Sequence, residues 1–203
     1  MGLISAASTI FDAGSMSAGF GGSMTFIKKL TASSSATLSF VHGSGGVVLD
    51  DTYKEYVFTY NNIHPSADAA DLTVNFRDGG TAYDATKTSS FFWAYHAEDN
   101  SDVTLNYASS NDLAQGTGVQ PISSNPGYDN DQCCSGTLHL FNPSSTTFVK
   151  HFISISNSTE PADYSINSYA AGYANVTAAI DGVQFAFESG NIDSGDICLY
   201  GIA

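Results

Sequence analysis

Hydrophobic positions along this chain recur at every second residue, in short bursts. Tyr56, Phe58 and Tyr60 share one side of YKEYVFTY, Leu72, Val74 and Phe76 share one side of LTVNF, and Leu138 and Leu140 do so in TLHLF. Alternation of this kind puts apolar side chains on one face of an extended segment and polar ones on the other, the pattern of a half-buried β-strand. Phe148, Phe152 and Ile155 mark TFVKHFISIS less cleanly. Further strands are expected over 25–30, 36–41, 90–97, 103–107, 169–177, 183–187 and 196–202. Turn signals such as Asp78-Gly79-Gly80, Asn142-Pro143-Ser144 and Ser189-Gly190-Asn191 separate them. No stretch holds an apolar stripe at helical period for three turns. Many short strands without intervening helices predict an all-β fold, an antiparallel, jelly-roll-like β-sandwich. The spacing of the cysteines and Trp93 does not match an immunoglobulin domain.

The pattern fails in four places. Residues 12–23, DAGSMSAGFGGS, are small and glycine-rich, as a flexible linker is, and they set a short apolar stub (Leu3, Ile4, Ile10, Phe11) apart from the rest. The reading is therefore an arm over 1–23 and a sandwich domain over 24–203. Residues 108–132, punctuated by Gly116, Gly118, Pro121, Pro126 and Gly127, read as a long irregular segment, and 156–167 as a shorter one. Gly43-Ser44-Gly45-Gly46 is a turn leading to a strand at Val47-Val48-Leu49, with no lysine to make a phosphate loop. Ser135–Phe141 and Ser194–Tyr200 each set a Ser-Gly turn before an alternating strand, suggesting two equivalent entries into the sandwich.

Charge narrows the range of partners. Twenty acidic residues stand against six basic ones, a formal net charge of −14, and from Ser89 onward Lys150 is the only Lys or Arg. A polyanion would be repelled, so nucleic acid is not an expected partner. No apolar run approaches the ~18 residues of a membrane span, so no membrane insertion is expected, and residues 1–11 lack the positive region of a secretory signal. Synthesis in a cytoplasm follows. With 42% hydrophobic residues the chain has enough apolar surface for a core.

Candidate chemistry is sparse. There is no G-x-S-x-G elbow and no local Cys-His signature, and an enzyme is not expected. A glycosidase needs two carboxylates across a cleft; Glu55, Glu98, Asp99, Asp102, Glu160 and Glu188 are all nominees, and each reads equally as a charge at a strand end or turn. Asp129-Asn130-Asp131 has oxygen ligands at alternate positions without the rest of a calcium loop, and Asp50-Asp51 and Asp68 with Asp71 are similar acidic turns; no metal and no cofactor is expected. Cys133 and Cys134 read as strand neighbours facing opposite ways, with Cys198 unpaired. His139 and His151 read as a cross-strand polar pair. Phe91, Phe92, Trp93, Tyr95 and His96 read first as a core strand covered on both faces, with a sugar-stacking platform as the alternative.

The stretch Gly182–Ile192 (GVQFAFESGNI), followed by Ser194–Ile202 (SGDICLYGI), resembles the C-terminal signature of a family of bacteriophage structural proteins, seen especially in phages of marine bacteria and cyanobacteria. Residues 50–60 (DDTYKEYVFTY), the hairpin at 78–83 and 135–150 (SGTLHLFNPSSTTFVK) also look like that family. The resemblance spans about 36–203 and omits the arm. It implies a jelly-roll-like domain on the exterior of a tailed phage particle, often a homotrimer, serving as capsid decoration, head fibre or tail-fibre component. Partners on this reading are further copies of the chain and a capsid or tail protein, with Leu3, Ile4, Ile10 and Phe11 as the anchor. A carbohydrate-binding, receptor-recognising module is the alternative, with a host-surface glycan as partner and exposed aromatics such as Tyr128 as its contacts.

Overall fold

The computed structural model describes residues 23–203 in full and, of the first 22, the backbone of three short strands: β1 (Leu3–Ser5), β2 (Ser8–Asp12) and β3 (Ser15–Met16). These pair antiparallel in the order β1-β2-β3. The expected anchor residues Leu3, Ile4, Ile10 and Phe11 fall on β1 and β2, and their side chains lie outside the described residues.

From Met24 onward, alternation becomes twelve strands: β4 (Met24–Thr31), β5 (Leu38–Val41), β6 (Glu55–Pro65), β7 (Leu72–Arg77), β8 (Lys87–Ala97), β9 (Val103–Tyr107), β10 (Gln120–Ser123), β11 (Cys134–Phe141), β12 (Lys150–Glu160), β13 (Tyr164–Ala174), β14 (Gly182–Phe187) and β15 (Ile192–Ile202). An eight-stranded sheet runs β4-β15-β6-β11-β12-β13-β8-β9, a four-stranded sheet runs β10-β7-β14-β5, and every pairing is antiparallel. The expected all-β, antiparallel sandwich is thus built as eight strands over four. Among the described residues no helix is long and apolar enough to cross a membrane.

The core lies where the two sheets face each other. Tyr56, Phe58 and Tyr60 on β6 point inward and are fully buried, as their period-two spacing requires. From the smaller sheet Phe40, Val74, Phe76, Val183 and Phe185 meet them. Ring pairs join the layers, Phe40 with Phe58 at 5.2 Å and Phe76 with Phe152 at 5.4 Å between centroids. The two similar Ser-Gly segments become β11 and β15, which flank β6 on either side.

Several expectations shift. Within the segment read as irregular, Gln120–Ser123 forms β10, paired to β7. The shorter irregular segment is the continuous hairpin of β12 and β13, turned at 161–163. Ser156 and Ser158 hid it, because these inward positions are polar. Their hydroxyls, both buried, donate to the carbonyls of Ile122 (2.8 Å) and Ser124 (2.6 Å), while Ser168 Oγ accepts from the Ser124 N–H (3.1 Å). A serine ladder thus seats β10 over β12 and β13. Ser158→Ala should lower unfolding free energy by about 1–3 kcal/mol in urea titrations, because it leaves a buried carbonyl without a donor.

Val47–Leu49 is not a strand; Val47 and Leu49 are buried in coil, and the Leu49 N–H donates to His42 Nδ1 at 3.0 Å. His139 and His151 share a face but not a pair. Residue 139 stands opposite Ile153, with Nδ1 2.6 Å from Glu55 Oε1, while His151 packs on Tyr173 at 5.9 Å. Cys134 is buried under Ile63 and Cys133 is half-buried beside Asn62; both are free thiols, as is Cys198.

Candidate functional site

Strand β8 divides the aromatic cluster read from the sequence as doubly covered. Phe91 enters the core with no exposure. Phe92 and His96 point the opposite way and are exposed, and Trp93 and Tyr95, on the Phe91 side, are half-buried. The cause is the mismatch of eight strands over four. The edge strand β10 ends above β12 and β13, so beyond Phe91 the inner face of β8, with β9 beside it, overhangs the smaller sheet.

Under that overhang runs a trough. One hollow of about 240 Å³ is lined by Trp93, Tyr95, Ser124, Asn125, Glu160, Tyr164 and Ile166. A second, of about 450 Å³, continues it with Asp71, Asn106, Asn111 and the 107–110 turn, and the two share Trp93, Ser124 and Asn125. Trp93 and Tyr95 stack nearly parallel, centroids 5.3 Å apart and planes at 22°, and both line the hollow. Tyr164 stands edge-on to Tyr95 at 5.0 Å and 80°, closing one end. Tyr95 Oη donates to Asp102 at 2.6 Å, which fixes its ring.

Asp71 anchors the opposite wall. Its Oδ2 accepts from Asn111 Nδ2 at 2.6 Å and its Oδ1 from the Asn125 N–H at 2.8 Å. Burial pushes its carboxyl up to about 6; the bond from Asn125 opposes that, and nearby Glu188 adds to it. The sequence reading placed Asp71 in an acidic turn with Asp68, but only Asp68 is exposed. Gln120 Nε2 ties the Asn111 carbonyl to β10 at 3.0 Å. The trough walls therefore hang on buried hydrogen bonds and do not depend on loop packing alone.

Other nominated residues are scattered. Glu55 pairs with His139; Asp99 accepts from the Ser101 N–H at 2.9 Å; Asp102 holds Tyr95; Glu160 accepts from the Ala162 N–H at 2.8 Å; Glu188 is exposed. Of these only Glu160 lines the trough. Asp129 and Asp131 are exposed, and among the described residues no three His, Cys, Asp or Glu side chains cluster as metal ligands would. Tyr128 edges a different hollow, with His64 and Asp193 and no second Phe, Tyr or Trp among its lining residues.

The outer face of the eight-stranded sheet is the second feature. Across β9, β8, β13, β12 and β11 the outward residues in one row are Tyr107, Phe92, Tyr169, Ile155 and Thr137, each opposite the next. Phe92 stacks on Tyr169 at 4.8 Å and 4°. Leu105 is 74% exposed, and Ile153 and Ile155 are exposed on the same face. None of the outward positions on these five strands is Asp, Glu, Lys or Arg, although twenty carboxylates populate the chain. Neither the protein-family models, the curated proteins nor the solved structures compared with this chain match it.

Proposed function

We propose that this chain is a non-enzymatic structural protein on the exterior of a tailed bacteriophage particle, a capsid decoration, head fibre or tail-fibre component. It associates with copies of itself, as a homotrimer, through the outer face of β11, β12, β13, β8 and β9. The lack of charged side chains on that face, together with its exposed Phe92, Leu105, Ile153 and Ile155, carries the reading. An exposed patch of this size on a chain carrying −14 is an assembly surface. Two copies repel through exposed faces rich in carboxylates, and here they meet without opposing like charges. At ~3.3 Å per residue and ~4.8 Å per strand, the five strands give a footprint of about 700 Å². That is close to the ~800 Å² each partner contributes to a standard interface. The C-terminal resemblance to phage structural proteins supplies the particle address.

Light scattering on the purified chain should give a multiple of 21.3 kDa. The double substitution Leu105→Lys with Ile155→Lys should return a folded monomer, since both positions are exposed in the single chain. A monomeric native chain, or an oligomer indifferent to the double variant, would show that a foreign protein or nothing covers the face. The anchor is tested separately. Removing residues 1–23 takes away no strand of either main sheet, so the truncated protein should fold and oligomerise yet be missing from purified particles imaged by electron microscopy.

A further inference from the structure

The geometry of the overhang points to a binding site for an uncharged oligosaccharide in the trough between Trp93 and Asp71, a site separate from the assembly face and independent of where the protein resides. Each element of the trough answers one property of a sugar. A pyranose ring offers a flat face of C–H groups, and the half-buried Trp93 and Tyr95 rings, stacked nearly parallel at the edge of the hollow, offer it a π-surface. Sugar hydroxyls are donors and acceptors at once. The walls provide both kinds of partner, the side-chain amides of Asn106 and Asn125 and the carboxylates of Asp71 and Glu160.

Preorganisation separates this trough from an incidental surface dent. Asp71 and Asn125 are locked to each other, Ser124 is clamped from both sides by Ser158 and Ser168, and the Tyr95 ring is tethered through its hydroxyl. A ligand would find these groups already in place, so little ordering cost opposes binding.

The lining also selects against charge. No Lys or Arg lines either hollow, and two carboxylates do. Sialylated, uronic or phosphorylated sugars would meet unpaired negative charge, so the ligand class is neutral.

Trp93 is the only tryptophan, so its fluorescence reports on this site alone. The full-length protein would be titrated with tetrasaccharides of glucose, mannose, galactose and N-acetylglucosamine, and with sialyllactose and tetragalacturonate as acidic probes. At least one neutral probe should shift Trp93 emission saturably, the acidic probes should not, and Tyr95→Ala should weaken binding about tenfold. Should Tyr95→Ala fail to fold, Asn106→Ala, at an exposed position, should weaken binding severalfold in its place. The inference is overturned if no neutral probe shifts the emission, if an acidic probe binds more tightly, or if the folded trough variant binds unchanged.

Discussion

Phe185→Ala is expected to cost about 3–5 kcal/mol of unfolding free energy, more than any surface change in the molecule. Phe185 lies on β14, one of the two inner strands of the smaller sheet, with no exposed surface. Its ring lies 5.5 Å from Phe58, 6.2 Å from Phe40 and 6.5 Å from Tyr60, so one side chain joins β5 and β14 to β6 across the sandwich. Truncation removes the apolar transfer energy of the ring and leaves a cavity that flanking strands, held in register on both sides, cannot fill by collapse. In urea titrations the midpoint should fall while the slope stays constant. Tyr128→Ala, at an exposed position, should change the unfolding free energy by less than about 0.5 kcal/mol. A Phe185→Ala loss under about 1 kcal/mol would mean that the layers are not joined there.

Phe185 also shows what was legible in the sequence. Its place in VQFAF, with Val183 and Phe187 at the same parity, gave both the strand and its buried side, and the same holds for β6 and β7. Period-two patterning works where one face meets hydrocarbon. It fails where the inward face is polar by design: Ser154, Ser156, Ser158 and Ser168 are buried yet read as solvent positions, so the ends of β12 and β13 were taken for loop. It failed equally at β10, where Pro121 and short length mimic a loop and pairing with β7 decides the outcome. The trough was half-legible. Trp93 and Tyr95 were visible as an aromatic cluster, but whether strands lie above them depends on the width of the other sheet, which no local pattern encodes. Asp71 read only as part of an acidic turn with Asp68, because burial of a carboxylate is a tertiary fact.

The alternation along β8 connects the two proposed surfaces. Phe92 and Ala94 face outward to the assembly face, and Trp93 and Tyr95 face inward to the trough, so a single strand serves both through opposite sides. Self-association therefore leaves the trough open. The two surfaces also share a dependence on register, because a one-residue slip of β8 against β13 would exchange them. The eleven-residue pairing of β8 with β13, from Lys87↔Ala174 to Tyr164↔Ala97, opposes such a slip.

Lys87, which opens that strand, gives the molecule an unusual alkaline stability profile. It is fully buried, its Nζ donating to Asn75 Oδ1 at 2.5 Å and to the Ala85 carbonyl at 2.7 Å, with no carboxylate in contact. Desolvation holds it down to about 8 from 10.5, with Asp84 and Asp78 opposing only in part. Between those values the unfolded chain binds a proton that the folded chain has shed, so stability rises with pH, by up to ~1.4 kcal/mol per unit. The gain is complete above 10.5 and lost as pH falls through 8. Cys134 acts with the opposite sign. Burial lifts its thiol from 9 to about 12, so it stabilises fully below pH 9 and progressively less above it. Tyr56, lifted from 10 to about 12, and Tyr60, also raised, add to that loss from pH 10. The native protein should therefore gain stability from pH 7.5 to about 9 and lose it beyond about 10. Lys87→Met removes the rising limb and keeps the falling one, so the difference between the two proteins isolates the buried amine. Urea midpoints at half-unit steps from pH 7 to about 10.5 measure it. A native profile already falling between pH 8 and 9, or an equal rise in Lys87→Met, would mean that Lys87 is solvated in the folded protein.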